Sequence, residues 1–150
     1  MNSMKSVEAF LSRKNVAFVG LSRRGNQFSN TVCKELVKKG YNVIPVNPLS
    51  DEINGVKCYP NLKSIEEAVD SALVMTPAAQ VPDVLEDAAE SGIKHVWIQQ
   101  GADSENAARL GGEKGLDVVN GECIMMFAEP VGFVHRIHRW FWRRLGKLPQ

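Results

Sequence analysis

The chain predicts an α/β fold in which one parallel sheet of five strands is doubly wound by helices. Two observations carry that reading. Five short apolar runs lack polar alternation, as strands buried on both faces do, and most are followed by about ten residues of helical periodicity. Glycines stand where strands must stop or helices must end, as at Gly20, Gly40, Gly92 and Gly115. Right-handed crossovers place the helices on both sides of such a sheet, and the expected strand order is 3-2-1-4-5.

Taken in order, Val7, Phe10 and Leu11 are spaced i, i+3, i+4 and predict a short leading helix before Asn15. Val16-Ala17-Phe18-Val19 is the first strand, stopped by Gly20. A helix follows with Val32, Cys33, Leu36 and Val37 inward. It ends on Lys38-Lys39-Gly40, cations in the last turn and a glycine just beyond it. Asn42 to Val46 is the second strand, although Pro45 argues against its being fully paired in the middle of a sheet. Gly55 to Pro60 offers a short extra edge. Ala72 to Met75 is the third strand, and Val81, Val84, Leu85, Ala88 and Ala89 set the next helix before Gly92. His95 to Ile98 is the fourth strand. Asp103 or Ser104 is expected to cap a helix reaching Lys114, and Leu116 to Val119 is the fifth strand.

Composition removes several function classes. With 150 residues the chain is long enough for a core without staples, and 44% hydrophobic residues exclude disorder. Its net charge of +1 divides unevenly: −3 over residues 1–128 and +4 over residues 129–150. An acidic body repels phosphate backbones, so nucleic acid is not an expected partner. Cys33, Cys58 and Cys123 are odd in number and far apart, which suggests reduced thiols in a cytoplasmic protein rather than a disulfide framework or a zinc site. No apolar stretch approaches the length of a membrane span or a signal h-region.

Ligands of an open parallel sheet bind at the carboxyl ends of its strands. The loop after the first strand reads Gly20-Leu21-Ser22-Arg23-Arg24-Gly25, a G-x-S-x-x-G spacing between a strand and a helix. Its first glycine permits a tight turn, and backbone N–H groups with the helix N-terminus suit a pyrophosphate. Ser22 stands where a second glycine is usual, with a hydroxyl to offer a phosphate oxygen. After the second strand comes Val46-Asn47-Pro48, without the carboxylate that an NAD site uses on its ribose. That neutral loop and the two arginines favour an adenine nucleotide more anionic than NAD, and both coenzyme A and NADP qualify. Thr76-Pro77 and Gln100-Gly101 close the third and fourth loops, and no nucleophile stands beside a base in either.

These loops together resemble the CoA-binding protein family, stand-alone relatives of the N-terminal domain of the succinyl-CoA synthetase α subunit. Asn15 to Ser22, Gly40 to Pro48, Glu52 to Pro60, Val96 to Gly101 and Gly115 to Cys123 carry the likeness, over roughly residues 7–124. The resemblance implies a Rossmann-like domain over residues 1–128 that binds coenzyme A or acyl-CoA without catalysis. Gly20, Leu21, Ser22, Arg23 and Arg24 would then lie at the phosphates, Val46, Asn47 and Pro48 beside the adenosine, and Thr76-Pro77 along the wall. Gln100 and Gly101 would lie towards the pantetheine. Synthetase domains carry a lysine shortly after the proline, where this chain has Leu49-Ser50-Asp51-Glu52, so Arg23 or Arg24 would have to take the ribose phosphate. The alternatives are a CoA-binding subunit of a split acyl-CoA synthetase and an NADP- or NAD-binding protein.

The expected C-terminal helical tail, residues 129–150, places Val134, Ile137, Phe141 and Leu145 at helical spacing, interleaved with Arg136, Arg139 and Arg143. The preferred reading packs it on its own domain or on a second subunit in a homodimer, with contact to a membrane surface less favoured. His95 is expected in a buried strand, as a structural side chain.

Overall fold

A computed structural model of the chain describes residues 2–129 and Arg143. Five parallel strands form its sheet: β1 (Asn15–Val19), β2 (Asn42–Val46), β5 (Ser71–Val74), β6 (His95–Gln99) and β7 (Asp117–Glu122). A two-stranded hairpin, β3 (Glu52–Ile53) with β4 (Val56–Lys57), lies between β2 and β5 in the chain. The helices are α1 (Met4–Leu11), α2 (Phe28–Lys38), α3 (Val81–Glu90) and α4 (Ala107–Glu113).

Alternation along each strand divides the interior into two layers. Val16 and Phe18 of β1 face one core with α1 and α2, while Ala17 and Val19 face the other with α3 and α4. Trp97 anchors the first layer, 5.4 Å from Phe10 and 5.7 Å from Phe127 between ring centres, with its indole N–H donating to the carbonyl of Glu122 at 2.9 Å. Ile124 to Ala128, beyond the last strand, are buried in this layer. Losing a buried ring such as Phe10 would cost about 3–5 kcal/mol.

The strand order corrects the expected 3-2-1-4-5. The sheet runs β2-β1-β5-β6-β7, so the third principal strand pairs with the first and not with the second. Pro45 supplies the reason. Its carbonyl faces away from β1 and accepts the Tyr59 N–H at 3.0 Å, so the missing proline N–H would have faced the same way. A full parallel strand on that side would lose a ladder bond there, whereas an edge tolerates it. The expected short extra edge is present: the Tyr59 carbonyl accepts from Asn47 N–H at 2.9 Å, and Tyr59 bridges to Val46.

Other departures are local. Val37, expected inward, is 55% exposed in the last turn of α2. Neither Asp103 nor Ser104 caps α4, which begins at Ala107 after Asn106. The Asp103 carboxylate instead accepts the Gly101 N–H at 2.8 Å, and the Ser104 carbonyl accepts the side-chain amide of Asn120 at 3.0 Å. His95 opens β6 with Nδ1 3.2 Å from the Asp117 carboxylate. Apart from Glu129 and Arg143, the expected tail helix lies outside the described residues. Among those residues, no helix is long and apolar enough to cross a membrane.

Candidate functional site

The chain leaves β1 through α2 to reach β2 on one side, then returns past β1 to β5 on the other. That makes the carboxyl ends of β1 and β5 the switch point of the sheet, where a crevice opens. A cleft of about 480 Å³ lies there, between the loops after β1, β2 and β5 and the first turns of α3. Its size is that of a small-molecule site.

Gly20 forms its floor. The residue has φ +94°, and a Cβ built on it would stand 2.7 Å from the carbonyl oxygen of Met75. Only glycine lets β1 turn this close to the end of β5. The Gly20 N–H donates to the Val46 carbonyl at 3.2 Å, which ties the floor to β2 as well.

The first two loops are held together by their own polar groups. Asn47 donates its side-chain amide to the Leu21 carbonyl at 3.0 Å and accepts the Leu49 N–H at 2.9 Å. The Arg23 guanidinium donates to the Leu49 carbonyl at 3.2 Å. Beneath them, Ser22 N–H donates to the buried Ser29 hydroxyl at 3.1 Å, and the Asn30 amide donates to the Ser22 carbonyl at 2.8 Å. Ser29 and Asn30, in the first turn of α2, are positioning residues that sequence reasoning missed. Their signal was two polar residues on the inward face of a helix.

Of the residues singled out from the sequence, Gly20, Val46, Asn47, Pro48, Thr76 and Pro77 line the cleft together. Leu21 is wholly buried in the α2 layer and has only its backbone to present. The Ser22 hydroxyl accepts the Arg24 N–H at 3.2 Å, and Arg23 and Arg24 are exposed on the same loop. Gln100 and Gly101 are exposed at the end of β6, away from the lining of the cleft.

Thr76 is 9% exposed, and its hydroxyl has no hydrogen-bond partner among the described residues. Such an orphan costs about 1–3 kcal/mol unless a ligand or solvent meets it. The wall opposite the second loop was not foreseen. Gln80, just before α3, and Asp83, Val84 and Asp87 on one face of the helix line the cleft. Val84 also packs partly on the core, and that apolar periodicity hides the two acids beside it in the sequence. Asp87 accepts the Leu62 N–H at 2.7 Å, which positions the loop bearing Pro60 and Asn61. The neutral second loop is therefore not the whole charge of the site, because α3 brings carboxylates to it.

None of the three thiols lines the cleft, although Cys58 donates to the carbonyl of Asn47 at 3.7 Å. Cys33 and Cys58 are buried, and burial pushes both above the ordinary thiol range. Among the described residues no group of three His, Cys, Asp or Glu side chains is placed to hold a metal ion.

Residues 14–129 match the family described as CoA binding domain. The chain belongs to that family. It is 38% identical over 123 residues to the uncharacterized protein YneT of Bacillus subtilis, covering 81% of this chain and 91% of YneT. It is 36% identical over 106 residues to the ADP-forming acetate–CoA ligase II of Archaeoglobus fulgidus, covering 69% of this chain and only 15% of that enzyme. Among solved structures, a hypothetical protein of Pyrococcus horikoshii superposes with a TM-score of 0.77 at 31% identity, covering 85% of this chain and 90% of that one. The ligase likeness thus concerns its CoA-binding domain, and the Rossmann-like architecture is shared with proteins of this size.

Proposed function

We propose that the domain is a non-catalytic binding module for coenzyme A or acyl-CoA. The observation that carries this is the switch-point cleft floored by Gly20, in a chain of the CoA-binding domain family. Adenosine occupies the cleft between Asn47-Pro48 and Thr76-Pro77. The diphosphate lies on the Ser22–Gly25 loop before α2, and Arg23 and Arg24 supply charge to the 3′-phosphate of the ribose. The pantetheine arm leaves towards Gln100 and Gly101, with the acyl group, when present, beyond it. Among the described residues, the acids lining the cleft are Asp83 and Asp87, and no serine, cysteine, lysine or histidine lines it with them. The three free thiols fit a cytoplasmic setting.

Thermal shift with CoA, dephospho-CoA, NADP and NAD tests this reading. A ligand at 100 times its Kd adds about 2.7 kcal/mol of stability. CoA should stabilise the protein clearly. A response to NAD with none to CoA overturns the proposal.

The match to acetate–CoA ligases, one of them a separate α subunit from Pyrococcus furiosus, favours a second reading. Here the chain is the CoA-binding subunit of a split acyl-CoA synthetase. Co-purification with a partner bearing an ATP-grasp domain would establish it, and a chain that purifies alone while holding CoA would set it aside.

A further inference from the structure

Four acids lie on α3, and three of them are engaged. Glu86 pairs with Lys114, Glu90 pairs with Lys63, and Asp87 holds the Leu62 N–H. Asp83 lines the cleft and has no hydrogen-bond or ionic partner among the described residues. It precedes Asp87 by four positions, a like-charge spacing, while its place in the first turn complements the helix dipole. Across the same cleft the Thr76 hydroxyl is nine-tenths buried and unpartnered. An exposed carboxylate with no protein partner among the described residues and a buried, unpartnered hydroxyl therefore line one small cleft.

Their chemistry limits what can lie there. A carboxylate accepts hydrogen bonds and repels anions, so it suits the hydroxyls of a ribose or the amino group of a base. A phosphate monoester against α3 would meet Asp83 and Asp87, with no cation among the described residues that line the cleft. The arginines stand on the opposite loop, with Arg23 held to the Leu49 carbonyl at 3.2 Å.

We propose that Asp83 is a specificity-determining residue, which weakens the preference of the cleft for ligands whose ribose carries a phosphate where it meets α3. The inference rests on the CoA reading and refines it. Dephospho-CoA, with both ribose hydroxyls free, binds about as tightly as CoA. The attraction of the 3′-phosphate to Arg23 and Arg24 is offset by its repulsion from Asp83.

Calorimetric titration of the full chain with CoA and with dephospho-CoA tests this, in the wild type and in Asp83→Asn. The expected wild-type affinities agree within about threefold. Asp83→Asn should then shift the ratio roughly fivefold in favour of CoA, the scale of one like-charge contact across a solvated cleft. Two measurements overturn the inference alone: wild-type binding of CoA more than tenfold tighter than dephospho-CoA, or an Asp83→Asn ratio equal to the wild-type ratio. Should the variant fold poorly, the wild-type comparison still decides. If neither ligand binds, the CoA reading falls first and takes this inference with it.

Discussion

A Cβ on Gly20 would stand 2.7 Å from the carbonyl oxygen of Met75, closer than such atoms approach in folded proteins. This contact makes the floor of the cleft, and it holds the ends of β1 and β5 at the spacing a ligand would meet. Gly25 is a natural comparison, because it has φ +74° but nothing within 4 Å of a built Cβ.

Gly25→Ala should therefore cost about 1–2 kcal/mol, from backbone strain alone. Gly20→Ala adds a clash with main chain that cannot yield, for about 3 kcal/mol in all. Urea denaturation of the two variants measures the difference. Equal losses would show that the loop moves to accept the methyl group.

Thr76→Val removes the buried, unpartnered hydroxyl while nearly keeping its shape. The free protein should gain about 1 kcal/mol, because nothing is left unsatisfied. CoA should then stabilise the variant less than it stabilises the wild type. A valine variant that is less stable and binds CoA unchanged would show that the hydroxyl has a partner in solution and no ligand role.

Replacing Arg23 and Arg24 together by alanine should weaken CoA more than dephospho-CoA, by roughly one opposite-charge contact or about fivefold. Arg23 also ties the two loops through the Leu49 carbonyl, so both ligands lose some affinity. Titration with both compounds separates the two effects. Equal losses would place the arginines at the pyrophosphate.

Glu122 lies at the far end of β7, 7% exposed, with one carboxylate oxygen accepting from Asn2 at 3.1 Å and the other unpartnered. Burial pushes its carboxyl above the ordinary range, partly offset by the Asn2 amide. The folded state thus keeps a proton that the unfolded chain releases at about pH 4.3. Stability from this group is complete below that value and falls as pH rises through the raised folded one. Glu122→Gln should match the wild type near pH 4 and be more stable at pH 7. Denaturation midpoints of both proteins from pH 4 to 8 check the sign, and a parallel pair of curves would refute it.

Much of the architecture was legible because it depends on local pattern. Uninterrupted apolar runs marked five strands, of which β7 is only half-buried, and i, i+3, i+4 spacing marked α1, α2 and α3. Gly20 and the G-x-S-x-x-G loop were legible too, since a strand that must turn sharply needs glycine where it turns. Pro45 even announced an edge strand, although the strand order first drawn from the alternation of elements placed β2 between two neighbours.

Strand order, by contrast, is set by which backbone groups find partners across the sheet. Only the tertiary structure showed Tyr59 taking the outer side of β2, which sends β5 to the far side of β1. The charge of the cleft was hidden for a similar reason. Asp83 is 33 residues beyond Ser50 in the chain, and helical periodicity reports which side faces the core, not what the helix rim overlooks. The sequence alone determined that a phosphate-suited turn stands at the end of the first strand. Folding decided which side chains share the space above it, because contacts between distant segments leave no local pattern to read.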